Sequence, residues 1–151
     1  MFYIEKDNKI ILSDEDKQKL QDTIAFMPQY KGLDIQEVPE GYVIYDFELM
    51  TVEEKEAKEV QIEHERIQAL SMTPLDFIKA LEQFAGITYD QIKKLCDTYP
   101  EIDRELRFCQ NVYRSNPMFS EEALAKLPKE FHLTQEQIDN LFIAVDNMKR
   151  V

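Results

Sequence analysis

Few kinds of side chain in this 151-residue chain could carry chemistry. There are two histidines, His64 and His132, two cysteines, Cys96 and Cys109, and 30 Asp+Glu against 18 Lys+Arg. A helical zinc site needs two histidines four residues apart on one face, and Glu63-His64-Glu65-Arg66 lacks the second. The cysteines fall outside any C-x-x-C pair, so zinc-knuckle and thioredoxin-type chemistry have no local support. Each follows a large apolar residue, Leu95 or Phe108, and both are expected as reduced, buried thiols. Neither has a histidine within helical reach to activate it as a nucleophile. Asp14-Glu15-Asp16 has no glycine at the sixth position of a calcium loop and is better explained as helix-dipole capping. Gly32, Gly41 and Gly86 are too scattered to cradle a phosphate. The expectation is a chain with no catalytic residue, no metal site and no cofactor, and not an enzyme.

The carboxylates are the remaining chemical resource. The formal net charge is −12, and it is uneven: residues 1–70 hold 8 Lys+Arg and 17 Asp+Glu, residues 71–151 hold 10 and 13. An acidic field of this kind repels nucleic-acid phosphate and anionic lipid, and favours basic surfaces, including those that bind nucleic acid. Direct binding to nucleic acid or membrane is therefore not expected. No apolar run approaches the roughly 18 to 20 residues that cross a bilayer, and the opening MFYIEKDNK has no basic end followed by an apolar stretch. The protein is expected to stay in the compartment where it is made. Tyr3, Tyr30, Tyr42, Tyr45 and Phe47 sit among acidic neighbours, and tyrosine offers a large, rigid contact at low entropic cost.

These side chains need elements to position them. Phe2-Tyr3-Ile4 and Ile10-Ile11-Leu12 flank the turn-forming Lys6-Asp7-Asn8-Lys9 and read as a β-hairpin. Ser13 is expected to cap a helix with Leu20, Ile24 and Met27 on one face, ended by Pro28. Leu33 to Val38 alternates as a strand, Pro39-Glu40-Gly41 turns, and Tyr42 to Phe47 returns, completing a ββαββ unit over residues 1–50. On the last strand Tyr42, Ile44 and Asp46 share one face and Val43, Tyr45 and Phe47 the other. One face is core and the other a partner surface beside Glu37, Asp46 and Glu48, or both are covered. Thr51-Val52-Glu53-Glu54 has capping-box spacing and opens a charged spacer helix, assigned to residues 51–71. Its thin stripe of Ala57, Val60, His64 and Ile67 admits pairing with a second copy, but covers only about two heptads.

Residues 72–151 read as an all-α bundle of about five helices. Thr73-Pro74 opens a helix with Leu75, Ile78, Leu81, Phe77 and Phe84 as its buried face, closed by Gly86. Thr88-Tyr89-Asp90-Gln91 caps the next, carrying Ile92 and Leu95, and Pro100 starts a third with Ile102, Leu106, Cys109 and Tyr113. Ser120 caps a short helix, and Thr134-Gln135-Glu136-Gln137 precedes Ile138, Leu141, Phe142 and Val145. The pattern apolar-Thr-x-x-Gln-Ile-x-x-Leu occurs at both Ile87 and Leu133, as two helices with the same cap and the same buried pair would show. Leu81 to Leu95 has the rhythm of a helix-turn-helix, but its reading helix presents Asp90 and Asp97 beside Lys93 and Lys94. A bundle corner is the better reading of this fragment, and a DNA-binding regulator the less supported one.

FYIEKDNKIILSDED, LQDTIAFMPQYKGLDIQE, EGYVIYDF and TVEEKEAKE resemble small accessory proteins of phages and prophages that are often encoded near tail-fibre genes. MTPLDFIKAL, GITYDQI, YRSNP and LTQEQIDNLF resemble a helical module appended to them. The resemblance brings no catalytic residue. It implies an accessory protein of the host bacterial cell, or one carried on the virion, that works by binding another protein. The partner would be a virion tail component during assembly, or a host defence complex blocked in the anti-CRISPR manner by carboxylates set where phosphates would lie. The fold class is then α+β, and the expected partner-binding residues are Glu37, Tyr42, Tyr45, Asp46, Glu48, Glu53, Glu54 and Glu56, facing a basic protein surface.

Overall fold

In the computed structural model, which describes residues 1–151, Asp7 and Asn8 both take left-handed backbone conformations (φ 55° and 62°). Short polar side chains tolerate that region, and a two-residue turn of this hand matches the twist of a hairpin. It joins β1 (Phe2–Lys6) to β2 (Lys9–Asp14), antiparallel, with Tyr3 opposite Ser13 and a bulge at Ile4/Glu5. Ser13 therefore does not cap a helix: its backbone is held in the ladder, and the cap passes to Asp16, whose carboxylate accepts from Gln18 N at 2.9 Å. Helix α1 (Lys17–Phe26) buries Leu20 and stops before Pro28, but Met27 is exposed.

The expected pairing of Leu33–Val38 with Tyr42–Phe47 does not form. Only Gln36–Glu37 is extended (β3), and it pairs with β1, where Tyr3 Oη donates to Gln36 Oε1 at 2.9 Å; the sheet order is β2-β1-β3. β4 (Tyr42–Tyr45) instead turns back at Asp46-Phe47 into β5 (Glu48–Thr51), with Tyr42 opposite Thr51 and Tyr45 opposite Glu48. Asp46 and Phe47 sit at φ 51° and 63°, so strand alternation ends at Tyr45, and the expected faces holding Asp46 and Phe47 are not made. Ile10 N donates to Phe47 O at 2.8 Å, which fixes the turn against β2. Tyr3, Ile4, Ile10, Leu20 and Met50 form the buried interior of this unit.

The chain divides into two compact units, Met1–Gln61 and Ile62–Val151, and the division falls within α2 (Val52–Gln68). With 58% helix and 17% strand in small antiparallel sheets, the fold is mixed, α+β. The second unit is organised by its caps. Thr73 accepts from Asp76 N (3.1 Å) at the start of α3 (Pro74–Ala85), and Gly86 ends it at φ 67°, a left-handed position that glycine takes without a Cβ penalty. Thr88 and Thr134 form reciprocal capping boxes on α4 (Tyr89–Thr98) and on the last helix, α7 (Gln135–Lys149), between which lie α5 (Pro100–Phe108) and the short α6 (Glu121–Ala125).

Phe77, Ala80 and Leu81 are the buried face of α3; Leu75 falls off that arc and is exposed, and Phe84 lies in the last turn, exposed beside Met148. Helix α5 ends at Phe108 and does not carry Cys109 and Tyr113. The chain leaves the helix to pair β7 (Val112–Tyr113) with β6 (Ser71–Met72), which buries both Met72 and Val112, and Tyr113 points to solvent. At the centre, Phe77, Phe119 and Phe142 meet with ring centroids 5.5 to 6.3 Å apart, largely edge to face.

Candidate functional site

The eight expected contact residues all lie in the amino-terminal unit, seven of them exposed and Tyr45 half-buried. Seven sit on one continuous stretch, from the β4–β5 hairpin into the first turns of α2; Glu37 is on β3, in the other sheet. Thr51 ends the hairpin and begins the helix. Glu54 N donates to Thr51 Oγ1 (3.2 Å) while Thr51 N donates to Glu54 Oε2 (2.9 Å), so Glu54 is engaged in the capping box. Glu53 lies in the same positive first turn, and Glu56 is exposed one turn on.

Two lysines locally offset the acidic excess of this half. Lys58 Nζ lies 3.1 Å from Glu48 Oε2, and Lys55 Nζ lies 5.7 Å from the Tyr45 ring centroid and 3.8 Å from Glu59. Exposed ion pairs of this kind contribute about 0 to 1 kcal/mol and weaken with salt. Their structural consequence is to hold Tyr45 and Glu48 against α2. Asp46 is exposed at the hairpin tip. Beside it is a residue that alternation had assigned elsewhere: Phe47, 65% exposed in its left-handed position. The signal for it was present, since YVIY and ELMT are separated by two residues, the spacing of a tight hairpin.

α2 has no buried residue along its 17 positions. Of its apolar stripe, Ala57, Val60 and His64 are exposed, Val60 at 70%, and Ile67 is half-buried. Further along, Arg66 donates twice to Glu63 (2.9 and 2.8 Å), which holds the Glu63 carboxyl below its usual range.

The residues with reactive potential are structurally employed. Cys96 packs against the helical core, and burial pushes its thiol up. Cys109 is not a core residue: half-exposed just beyond α5, it donates to Glu105 Oε2 at 3.1 Å, and that hydrogen bond, with burial and the carboxylate charge adding to it, raises its pKa. A raised pKa leaves less thiolate, the opposite of an activated nucleophile. His132 Nε2 lies 2.7 Å from Leu127 O, an acceptor, so that nitrogen carries the proton. No three His, Cys, Asp or Glu side chains gather as metal ligands, and no helix is long and apolar enough to cross a membrane. The one buried charge, Arg114, binds Asp139 Oδ1 and Gln135 Oε1 (2.8 Å), and Gln135 in turn donates to Phe119 O (2.7 Å). Sequence gave no sign of this network, which pins the start of α7 to the chain after β7. Comparison with protein-family models, curated proteins and solved structures gave no match.

Proposed function

We propose that this chain is a non-enzymatic accessory protein of a phage or prophage, which acts by binding a basic protein surface through its amino-terminal unit. The observation that carries the reading is α2. A surface helix of a globular protein normally buries one apolar stripe, whereas this helix has no fully buried residue, half-buries only Ile67 of its stripe and leaves Val60 open among carboxylates. The adjoining hairpin presents Tyr42, Asp46 and Phe47, a mix of aromatic and acidic side chains that suits the core and rim of an interface. Binding occurs through Tyr42, Tyr45, Asp46, Glu48, Glu53, Glu54 and Glu56, with Glu37 contributing charge from its own sheet. The partner is a virion tail component in assembly. The excess charge of the first 70 residues favours a second reading, inhibition of a host nuclease by occupying its nucleic-acid site.

The test is affinity capture of the tagged protein from cells carrying its native genome, with washes at low and high salt. It is run beside a variant with the six carboxylates Glu37, Asp46, Glu48, Glu53, Glu54 and Glu56 replaced by Gln or Asn. A tail protein held by the wild type and lost by the variant supports assembly; a nuclease held only at low salt supports inhibition. Equal capture by both proteins moves the site to the helical unit. Sedimentation at increasing concentration shows whether the α2 stripe pairs two copies.

A further inference from the structure

The helical unit holds a cleft that the amino-terminal surface does not involve. α5 and the chain from Asn116 to Leu127 enclose about 480 Å³, within the roughly 300–1,000 Å³ of ligand pockets. Its floor includes Ile102, Met118 and Leu127, half-buried side chains facing the opening. The same three also line an apolar void of about 50 Å³ on the core side. Glu101 and Glu105 stand one turn apart on α5 at the edge. Cys109 Sγ (3.1 Å) and Asn116 Nδ2 (3.2 Å) both donate to Glu105 Oε2, which fixes the carboxylate and leaves Oε1 for another donor. Neither donor is charged; of the cations nearby, Arg107 Nε is engaged 2.7 Å from Asp103, and neither Arg104 on α5 nor Lys126 in the cleft lining forms an ion pair with Glu105. A half-buried, oriented carboxylate held only by neutral donors is complementary to a cation. The walls are tied in place by Tyr99 Oη donating to Lys126 O (3.0 Å) and Met118 N to Asn116 Oδ1 (3.0 Å).

We propose that this cleft binds a short peptide segment of a partner protein in which a basic side chain adjoins a large apolar one. The apolar side chain lies on Ile102, Met118 and Leu127, and the cation bonds Glu105 Oε1 with Glu101 beside it. With the backbone N–H groups of Asn116 and Lys126 already bonded to Tyr113 O and Ala123 O, the second Nδ2–H of Asn116 and the Lys126 ammonium are the donors left for the peptide's carbonyl oxygens, which a simple amine would not use.

The test is titration of the full-length, isotope-labelled protein with acetyl-Leu-Arg-Leu-amide, acetyl-Leu-citrulline-Leu-amide and hexylamine, read as NMR shift changes and dissociation constants. The arginine peptide is expected to move the Ile102, Met118 and Leu127 signals and to bind at least about tenfold more tightly than the citrulline peptide. Glu105→Gln is expected to remove that difference. Should this variant fail to fold, Ala123→Trp, which places an indole in the cleft from the α6 side and leaves Glu105 in the chain, is expected to abolish binding of all three probes. Equal affinity for arginine and citrulline, or shifts centred elsewhere, would overturn the site. Hexylamine binding as tightly as the peptide would overturn the peptide occupant. None of these outcomes bears on the amino-terminal surface.

Discussion

The buried pair of Arg114 and Asp139 gives the sharpest stability prediction. The Arg114 side chain is 6% exposed and Asp139 is 26% exposed, with Gln135 closing the network. Removing one member of a buried pair costs about 3–5 kcal/mol, because the other is left desolvated without its counter-charge. Here water can reach the freed carboxylate, so Arg114→Ala is expected at the lower end, about 3 kcal/mol, including lost packing of the arginine stem. Asp139→Asn keeps an acceptor for the guanidinium and loses only the charge, about 1.5–2 kcal/mol. Arg114→Met with Asp139→Leu replaces both charges by apolar groups and is expected within about 1 kcal/mol of wild type. The chain has two compact units, so urea unfolding should be followed through the amide signals of Ile138 and Phe142, which report on the second unit alone. A cost below about 1 kcal/mol for Arg114→Ala would refute the reasoning, since it would mean the guanidinium is solvated in the folded protein.

Further predictions follow from single sites. Phe142→Ala removes a side chain that is 1% exposed and meets both Phe77 and Phe119, and is expected to cost about 3–5 kcal/mol in the same unfolding measurement. Thr88→Ala and Thr134→Ala each remove a capping-box hydroxyl, and about 1 kcal/mol each is expected, additive in the double variant because separate helix ends are affected. The Cys109 pKa is raised by Glu105, so at pH 8 less thiolate is present than in an unperturbed cysteine. Alkylation of Cys109 by iodoacetamide, followed by mass spectrometry, is expected to be slower than that of a model peptide thiol and faster in Glu105→Gln; an unchanged rate in that variant would contradict the hydrogen bond.

What could be read from sequence was local. Thr73, Thr88, Ser120 and Thr134 act on backbone donors three residues away, and Gly86 acts on its own φ, so each is legible without knowing the fold. Partnerships across the chain were not legible. Gln36 pairs with Tyr3 and not with the neighbouring strand, Val112 leaves its helix to reach Met72, and Arg114 reaches Asp139. Each depends on which distant surface wins, and no window of periodicity contains both partners. The candidate surface divides in the same way. Its acidity was visible in composition, but Lys55 and Lys58 against Tyr45 and Glu48 required the β4–β5 register, and the outward Phe47 required the left-handed turn at Asp46. The cleft beside Glu105 has no signature in sequence, since Ile102 reads there as an ordinary helix-face position and nothing local joins it to Met118 and Leu127.

The most direct test of the binding surface is hydrogen–deuterium exchange on the protein alone and in complex with the tail protein or nuclease recovered by capture. Protection on binding is expected in peptides covering residues 42–60, the β4–β5 hairpin and the open part of α2, and it should be lost when the carboxylates there are neutralised. Protection confined to residues 71–151, with residues 42–60 exchanging as in the free protein, would contradict the claim that the amino-terminal unit is the working surface.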